Sequence, residues 1–231
     1  MLELSRLLVD PVFAAAAGVP RGDGRPVVLL PGFLAGDQTL AVLGGWLRRL
    51  GYAPRVCGFY ANVDGSDRAL QRVERQVSAL SDRDGRRVAV IGHSRGGHFA
   101  RAIGARAPGR VSHAISLGAD LRGLVGISAP TLVAVSAVRR GLVLTRRTRA
   151  ERCMTAECTC DFAHDYGRPF PSTRVRLTSI YSKGDGVVRW EGAVVPEADC
   201  VEVTGSHLGL AFNRKVYRAI AEALARPELE E

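Results

Sequence analysis

The chain has 231 residues, 46% of them hydrophobic and 24% charged, so it carries enough apolar surface to bury a core, and dominant disorder is excluded. The length fits one domain of the larger kind, or at most two small ones, and no apolar run approaches the roughly 18 residues of a spanning helix. The net charge of +9 suggests a nucleic-acid partner at first. Only Lys183 and Lys215 are lysines, however, and the arginines are spread along the chain apart from a cluster near Arg139–Arg152. That usage is what a GC-rich genome writes on any surface, so nucleic acid is not expected, and an anionic membrane or an acidic partner fits the charge better.

In chain order, Met1–Val19 has an early Arg6 and small residues at Ala14–Ala17, but Glu3, Asp10 and Pro11 interrupt its apolar stretch. It reads as an amphipathic helix lying on the fold rather than as a signal peptide, and implies a cytoplasmic or membrane-attached protein. Val27–Leu30 is a short apolar run ended by Pro31-Gly32, the mark of a buried strand. Leu40, Leu43, Leu47 and Leu50 have helical spacing, and Gly51 stops that helix. Arg55–Cys57 reads as a short strand. Leu70, Val73, Val77 and Leu80 predict a helix capped by Ser66. Val88–Ile91 is a second buried strand, followed by a helix over about Arg95–Ala107. Val111–Leu117, Val175–Tyr181 and Cys200–Val203 predict three more strands, and Val216, Ile220, Ala223 and Leu224 a closing helix. Short apolar strands alternating with helices predict an α/β fold with a parallel sheet covered on both faces.

Between Leu117 and Val175 no strong strand is found. A structureless loop of that length is unusual in a compact domain, so an inserted helical subdomain over about 120–172 is expected within a single domain spanning 1–231. It holds the apolar stretch Ala129–Val138, the arginine cluster and three of the five cysteines. Cys153, Cys158, Cys160 and His164 could close a structural zinc site, but the spacing is not that of a ribbon or finger. Free thiols or one local disulfide suit it better, and no metal is assigned.

The sharpest feature is Gly92-His93-Ser94-Arg95-Gly96-Gly97, a G-x-S-x-G sequence directly after an apolar strand and directly before a helix. A serine on such a turn takes a strained backbone, and side chains two residues to either side would collide, so glycine is needed at Gly92 and Gly96. Serine needs a base, and the base needs an acid. Asp185 lies in the turn after the strand Val175–Tyr181, and His207 follows the strand Cys200–Val203. Both sit beyond carboxyl ends of parallel strands, where open α/β sheets gather their sites. Ser94, His207 and Asp185 are therefore expected to be nucleophile, base and orienting acid, with Asp120 as the rival acid. The expected oxyanion donors are the backbone N–H groups of Phe33 and Arg95, for which backbone shape matters more than side-chain identity.

These segments resemble the α/β-hydrolase family, and within it the bacterial lipases and esterases. The resemblance runs from Val27 to the last helix through Leu30-Pro31-Gly32-Phe33, the elbow, Ser116-Leu117-Gly118-Ala119, Ser182-Lys183-Gly184-Asp185-Gly186 and Gly205-Ser206-His207. It implies a mostly parallel sheet with helices on both faces, a Ser94–His207–Asp185 triad, no cofactor, and a helical cap or lid over an acyl pocket. Two departures stand out: Pro31-Gly32 replaces the usual His-Gly, and Gly118-Ala119-Asp120 puts an acidic side chain where the site mouth is expected. The expected activity is hydrolysis of carboxylic esters through an acyl-enzyme. A thioesterase, an acyltransferase, or a low-activity binding module of the same fold is the alternative. The expected partner is a hydrophobic ester or acyl substrate, with contact to a lipid interface through the basic and apolar cap.

Overall fold

The computed structural model describes residues 2–124, 126, 128–145 and 160–230. Among them six strands form one sheet: β1 (Pro26–Leu30), β2 (Ala53–Val56), β3 (Val88–His93), β4 (Val111–Leu117), β5 (Arg176–Ser182) and β6 (Asp199–Val203). Their order is β2-β1-β3-β4-β5-β6, and every pairing is parallel. β1, β3 and β4 are buried along their whole length, which is why they read as unbroken apolar runs.

Alternate residues of each strand feed two cores. Val27, Leu29, Ala89 and Ile91 meet α3 (Ala41–Leu50) and α8 (Arg214–Leu224) on one face. Val28, Leu30, Val88 and Val90 meet α4 (Ser66–Asp84) and α5 (Arg95–Arg106) on the other. α3 buries Leu43, Trp46, Leu47 and Leu50, and ends at Gly51, whose φ of 96° suits glycine. α4 starts as expected, but Gly65 is its cap and Ser66 its first helical residue. The N-terminal segment forms two short helices, α1 (Leu2–Leu8) and α2 (Pro11–Ala14), which bury Leu7 and Val12 against the α8 side. Among the described residues no helix is long and apolar enough to cross a membrane.

The insertion divides in two. α7 (Asp161–Tyr166) buries Phe162 and Tyr166 in the core beside α5 and so belongs to the domain body. α6 (Ala129–Leu144) has no buried residue. It is anchored where it begins: the Ser128 amide donates to the Val187 carbonyl at 2.7 Å.

The topology locates the site. From β2 the chain crosses behind β1 to reach β3, so the strand order reverses between β1 and β3. A crevice opens at the carboxyl ends of such neighbours. The loop after β1 carries Pro31–Phe33, and the turn after β3 carries Ser94.

Candidate active site

Ser94 links β3 to α5 with φ 54° and ψ −122°. Such a conformation costs a non-glycine residue about 1–3 kcal/mol and persists only where surroundings enforce it. Here the Ser94 amide donates to the Leu117 carbonyl, and the Ser94 carbonyl accepts from the Gly97 amide, both at 2.8 Å. Ser94 is half-buried while His93 and Arg95 beside it are buried, so the turn presents the serine rather than its neighbours. The expected collisions are real: a Cβ on Gly92 would lie 1.9 Å from the Gly96 carbonyl oxygen, and one on Gly96 would lie 2.1 Å from that of Leu30. Gly96→Ala should therefore push α5 off β1. We expect a loss of about 1–3 kcal/mol or more, read by denaturant unfolding; unchanged stability would contradict this packing.

Asp185 and His207 meet as expected. His207 Nδ1 lies 2.7 Å from Asp185 Oδ2, and the two residues are 5% and 6% exposed. Oδ1 of Asp185 accepts from the amides of Val187 at 2.9 Å and Val188 at 2.7 Å. A carboxylate so held can only accept, so Nδ1 of His207 carries the hydrogen and Nε2 keeps a lone pair. The backbone is tied as well, since the His207 amide donates to the Asp185 carbonyl at 3.1 Å. His93 supplies a further link: its Nε2 donates to the His207 carbonyl at 2.9 Å, and the two rings lie 4.9 Å apart. A Cβ on Gly118, next to the Leu117 that holds Ser94, would lie 3.4 Å from His207 Nδ1.

A Cβ on Gly32 would lie 3.2 Å from the Ser94 Cβ, so the loop after β1 packs against the serine. Arg95 opens α5, and its amide precedes the helix ladder. The Arg95 side chain departs from expectation. It is buried, and its guanidinium donates to the carbonyls of Asn62 at 2.7 Å and Asp64 at 2.5 Å. Its identity matters, because it ties the elbow to the 62–66 loop. Nothing in the local sequence marks Asn62; the only signal is an arginine in a position that must be buried.

Asp120, the rival acid, is buried, and His207 pairs with Asp185 instead. Asp120 Oδ1 accepts from the amides of Arg122 and Gly123, each at 3.0 Å, which closes a tight turn. His98 lies against Tyr166, with ring centroids 5.5 Å apart. His113, at the opposite end of the sheet, accepts from Arg25 at Nδ1 and donates to the Arg226 carbonyl. His164 is exposed. Cys153 and Cys158 lie outside the described residues. Cys57 and Cys200 are free thiols, and among the described residues no cluster of His, Cys, Asp or Glu could hold a metal ion.

Burial pushes three histidines below their ordinary 6.5: His93 to about 4, aided by the charge of His207; His98 to about 4, aided by Arg95; and His113 to about 3, aided by Arg25. Their folded-state values are depressed, so between about pH 6.5 and 4 the unfolded chain binds protons that the folded chain refuses. Stability is full above that window and falls as pH drops through it. Thermal midpoints measured from pH 7 to 4 should decline steadily; a flat profile would contradict the burial of these rings.

The geometry belongs to a known architecture. The description "Palmitoyl protein thioesterase" matches residues 26–164, more than half of the chain. No curated protein matches. The fold is similar to that of Bacillus licheniformis lipase BlEst2 in its mature form, with a TM-score of 0.65 and 14% identity over 90% of this chain and 94% of that one. It is also similar to MGS-MChE2, an alpha/beta hydrolase enzyme from lagoon-sediment metagenome (TM-score 0.53, 19% identity, 87% and 91% covered). A third likeness is the thioesterase domain from the curacin biosynthetic pathway (TM-score 0.59, 15% identity, 87% and 90% covered). The sheet is that of the α/β-hydrolases, and the chain belongs to the palmitoyl protein thioesterase family of hydrolases.

Proposed function

We propose that the chain is a serine hydrolase of acyl esters or thioesters that works through an acyl-enzyme on Ser94. The observation that carries this reading is the buried Asp185–His207 pair at 2.7 Å, with Ser94 held at a φ of 54° at the end of β3. The Ser94 oxygen adds to the acyl carbonyl carbon while its proton passes to His207 Nε2, and Asp185 stabilises the imidazolium. The carbonyl oxygen takes up the negative charge and is met by the amides of Phe33 and Arg95. Collapse breaks the bond to the alcohol or thiol, which leaves with the proton from His207. Water then repeats the sequence at the acyl-enzyme, releasing the carboxylic acid and restoring Ser94.

A carboxylic ester with a hydrophobic acyl chain is the first reading, and the family match favours the thioester as the second. The same triad would serve acyl transfer if water were kept from the acyl-enzyme. Turnover of a chain-length series of p-nitrophenyl esters beside the matching acyl-CoAs tests this. Long-chain acyl preference is expected. Hydrolysis of short esters only would remove the lipid reading, and preference for acyl-CoA would select the thioesterase.

The proposal extends to a cytoplasmic or membrane-attached protein that meets an anionic lipid surface through α6. Support comes from exposed Val133 and Leu144 on α6, from exposed Leu208 next to His207, and from Arg139 and Arg140 on α6. Arg146, Arg147 and Arg149 of the expected patch lie outside the described residues. Flotation with phosphatidylglycerol vesicles but not with neutral ones supports the contact, and equal failure with both removes it.

A further inference from the structure

The proposed reaction needs two amides, those of Phe33 and Arg95, about 2.7–3.1 Å from a single oxygen. They arrive on different elements, one on the loop after β1 and one at the start of α5. A separation set by two independent loops would drift, and a misplacement of about 1 Å can cost on the order of 100-fold. One residue touches both. Asn62, between β2 and α4, is 0% exposed. Its Nδ2 donates to the Pro31 carbonyl at 2.8 Å, and its backbone amide donates to the Ala35 carbonyl at 2.9 Å. Asn62 therefore grips the Phe33 loop from both ends, and an isolated parallel bridge pairs Phe33 with Asn62 itself.

On the other side, Asn62 Oδ1 and the Asn62 carbonyl both accept from Arg95 Nη1, at 2.9 Å and 2.7 Å. Arg95 Nη2 continues to the Asp64 carbonyl and to Ser66 Oγ at 3.3 Å, where α4 begins. The planar guanidinium also lies 5.0 Å from the centre of the Phe99 ring, one turn along the same helix. Burying a guanidinium is costly unless its N–H groups are met, and here Asn62, Asp64 and Ser66 supply acceptors to both Nη atoms. The arginine fork can serve two acceptors at fixed geometry, which a lysine cannot.

We propose that Asn62 and the side chain of Arg95 form a clamp that sets the distance between the two oxyanion donors, making both of them positioning residues for the reaction. The inference rests on the proposed acyl-enzyme chemistry. Neither side chain meets substrate, so removing either should leave ground-state binding unchanged and weaken only the state in which the oxygen carries charge.

The test uses the full chain and four variants: Asn62→Ala, Asn62→Asp, Arg95→Gln and Arg95→Lys. Asn62→Asp keeps an acceptor for Arg95 and loses the donor to Pro31, so it separates the two halves of the clamp. We measure kcat and KM on a p-nitrophenyl ester, inhibition by an alkyl trifluoromethyl ketone, and inhibition by the free fatty acid. The ketone takes the serine oxygen at its carbonyl carbon and carries an oxyanion; the fatty acid binds without forming one. The expected result is a fall in kcat of about 10- to 100-fold, matched by the loss in ketone affinity. KM and fatty-acid inhibition should stay within about twofold, since uniform binding is untouched. Arg95→Lys should not rescue, and Asn62→Ala combined with Arg95→Gln should lose little more than the worse single variant.

Thermal unfolding of each variant accounts for any loss of folded protein. Unchanged kcat in folded variants overturns the clamp, as does a loss no greater than the unfolded fraction explains. Absence of Ser94-dependent turnover in the unaltered chain would instead overturn the proposed function, and the clamp with it.

Discussion

Replacing Ser94 with alanine is expected to lower turnover by about 10⁴- to 10⁶-fold, because members of such a triad act as a unit and the remaining groups have no nucleophile to activate. The fold should survive. The strained φ of 54° at Ser94 is enforced by hydrogen bonds of its backbone to Leu117 and Gly97, which alanine retains. What is lost is the hydroxyl alone, so the variant should keep its substrate affinity and its melting profile. Residual turnover within about tenfold of the unaltered chain would mean that another group attacks, since a water-mediated route should not approach the covalent one. Steady-state kinetics and a thermal melt on one preparation decide this.

The second large effect is expected at Asp185. Its Oδ1 is engaged by the amides of Val187 and Val188, so an asparagine at this position would keep its oxygen there. Its amide nitrogen would then face His207 Nδ1. A donor opposite Nδ1 selects the tautomer with hydrogen on Nε2, and that nitrogen can no longer accept the serine proton. Asp185→Asn should therefore cost about 10⁴-fold in kcat with little change in KM. Asp120→Asn should behave differently. Asparagine keeps the oxygen that accepts from Arg122 and Gly123, so activity should stay within about tenfold of normal, because the group lies outside the relay. The reverse pattern, loss at Asp120 with near-normal Asp185→Asn, would show that the wrong carboxylate had been paired with His207.

The strands are legible because a parallel strand buried on both faces has no polar alternation to obscure it; the apolar run Val111–Leu117 coincides with β4 to the residue. The elbow was legible because its glycines answer a steric demand, now visible as the close approach of Gly92 to Gly96 and of Gly96 to Leu30. Asp185 and His207 could be picked out because each follows a strand at its carboxyl end. Legibility failed where the partner is remote or the local cue is shared. Ser66 is a good capping residue, yet Gly65 takes that place. Asp120 follows a strand just as Asp185 does, but the amides two and three residues on hold its carboxylate in a local turn. α7 is only six residues long, and its two buried residues, Phe162 and Tyr166, make a single turn, too short a run for a period to show. The Asn62–Arg95 contact spans 33 positions, and neither residue has a motif that announces the other.

The central claim is an acyl-enzyme on one serine. Its most direct test is to treat the full chain with an alkyl fluorophosphonate and locate the adduct by peptide mass spectrometry, beside Ser94→Ala and His207→Ala. A single adduct on the peptide bearing Ser94, absent in Ser94→Ala and strongly slowed in His207→Ala, is the predicted result. A folded chain that takes up no label, or one that is labelled elsewhere with Ser94 untouched, would contradict it.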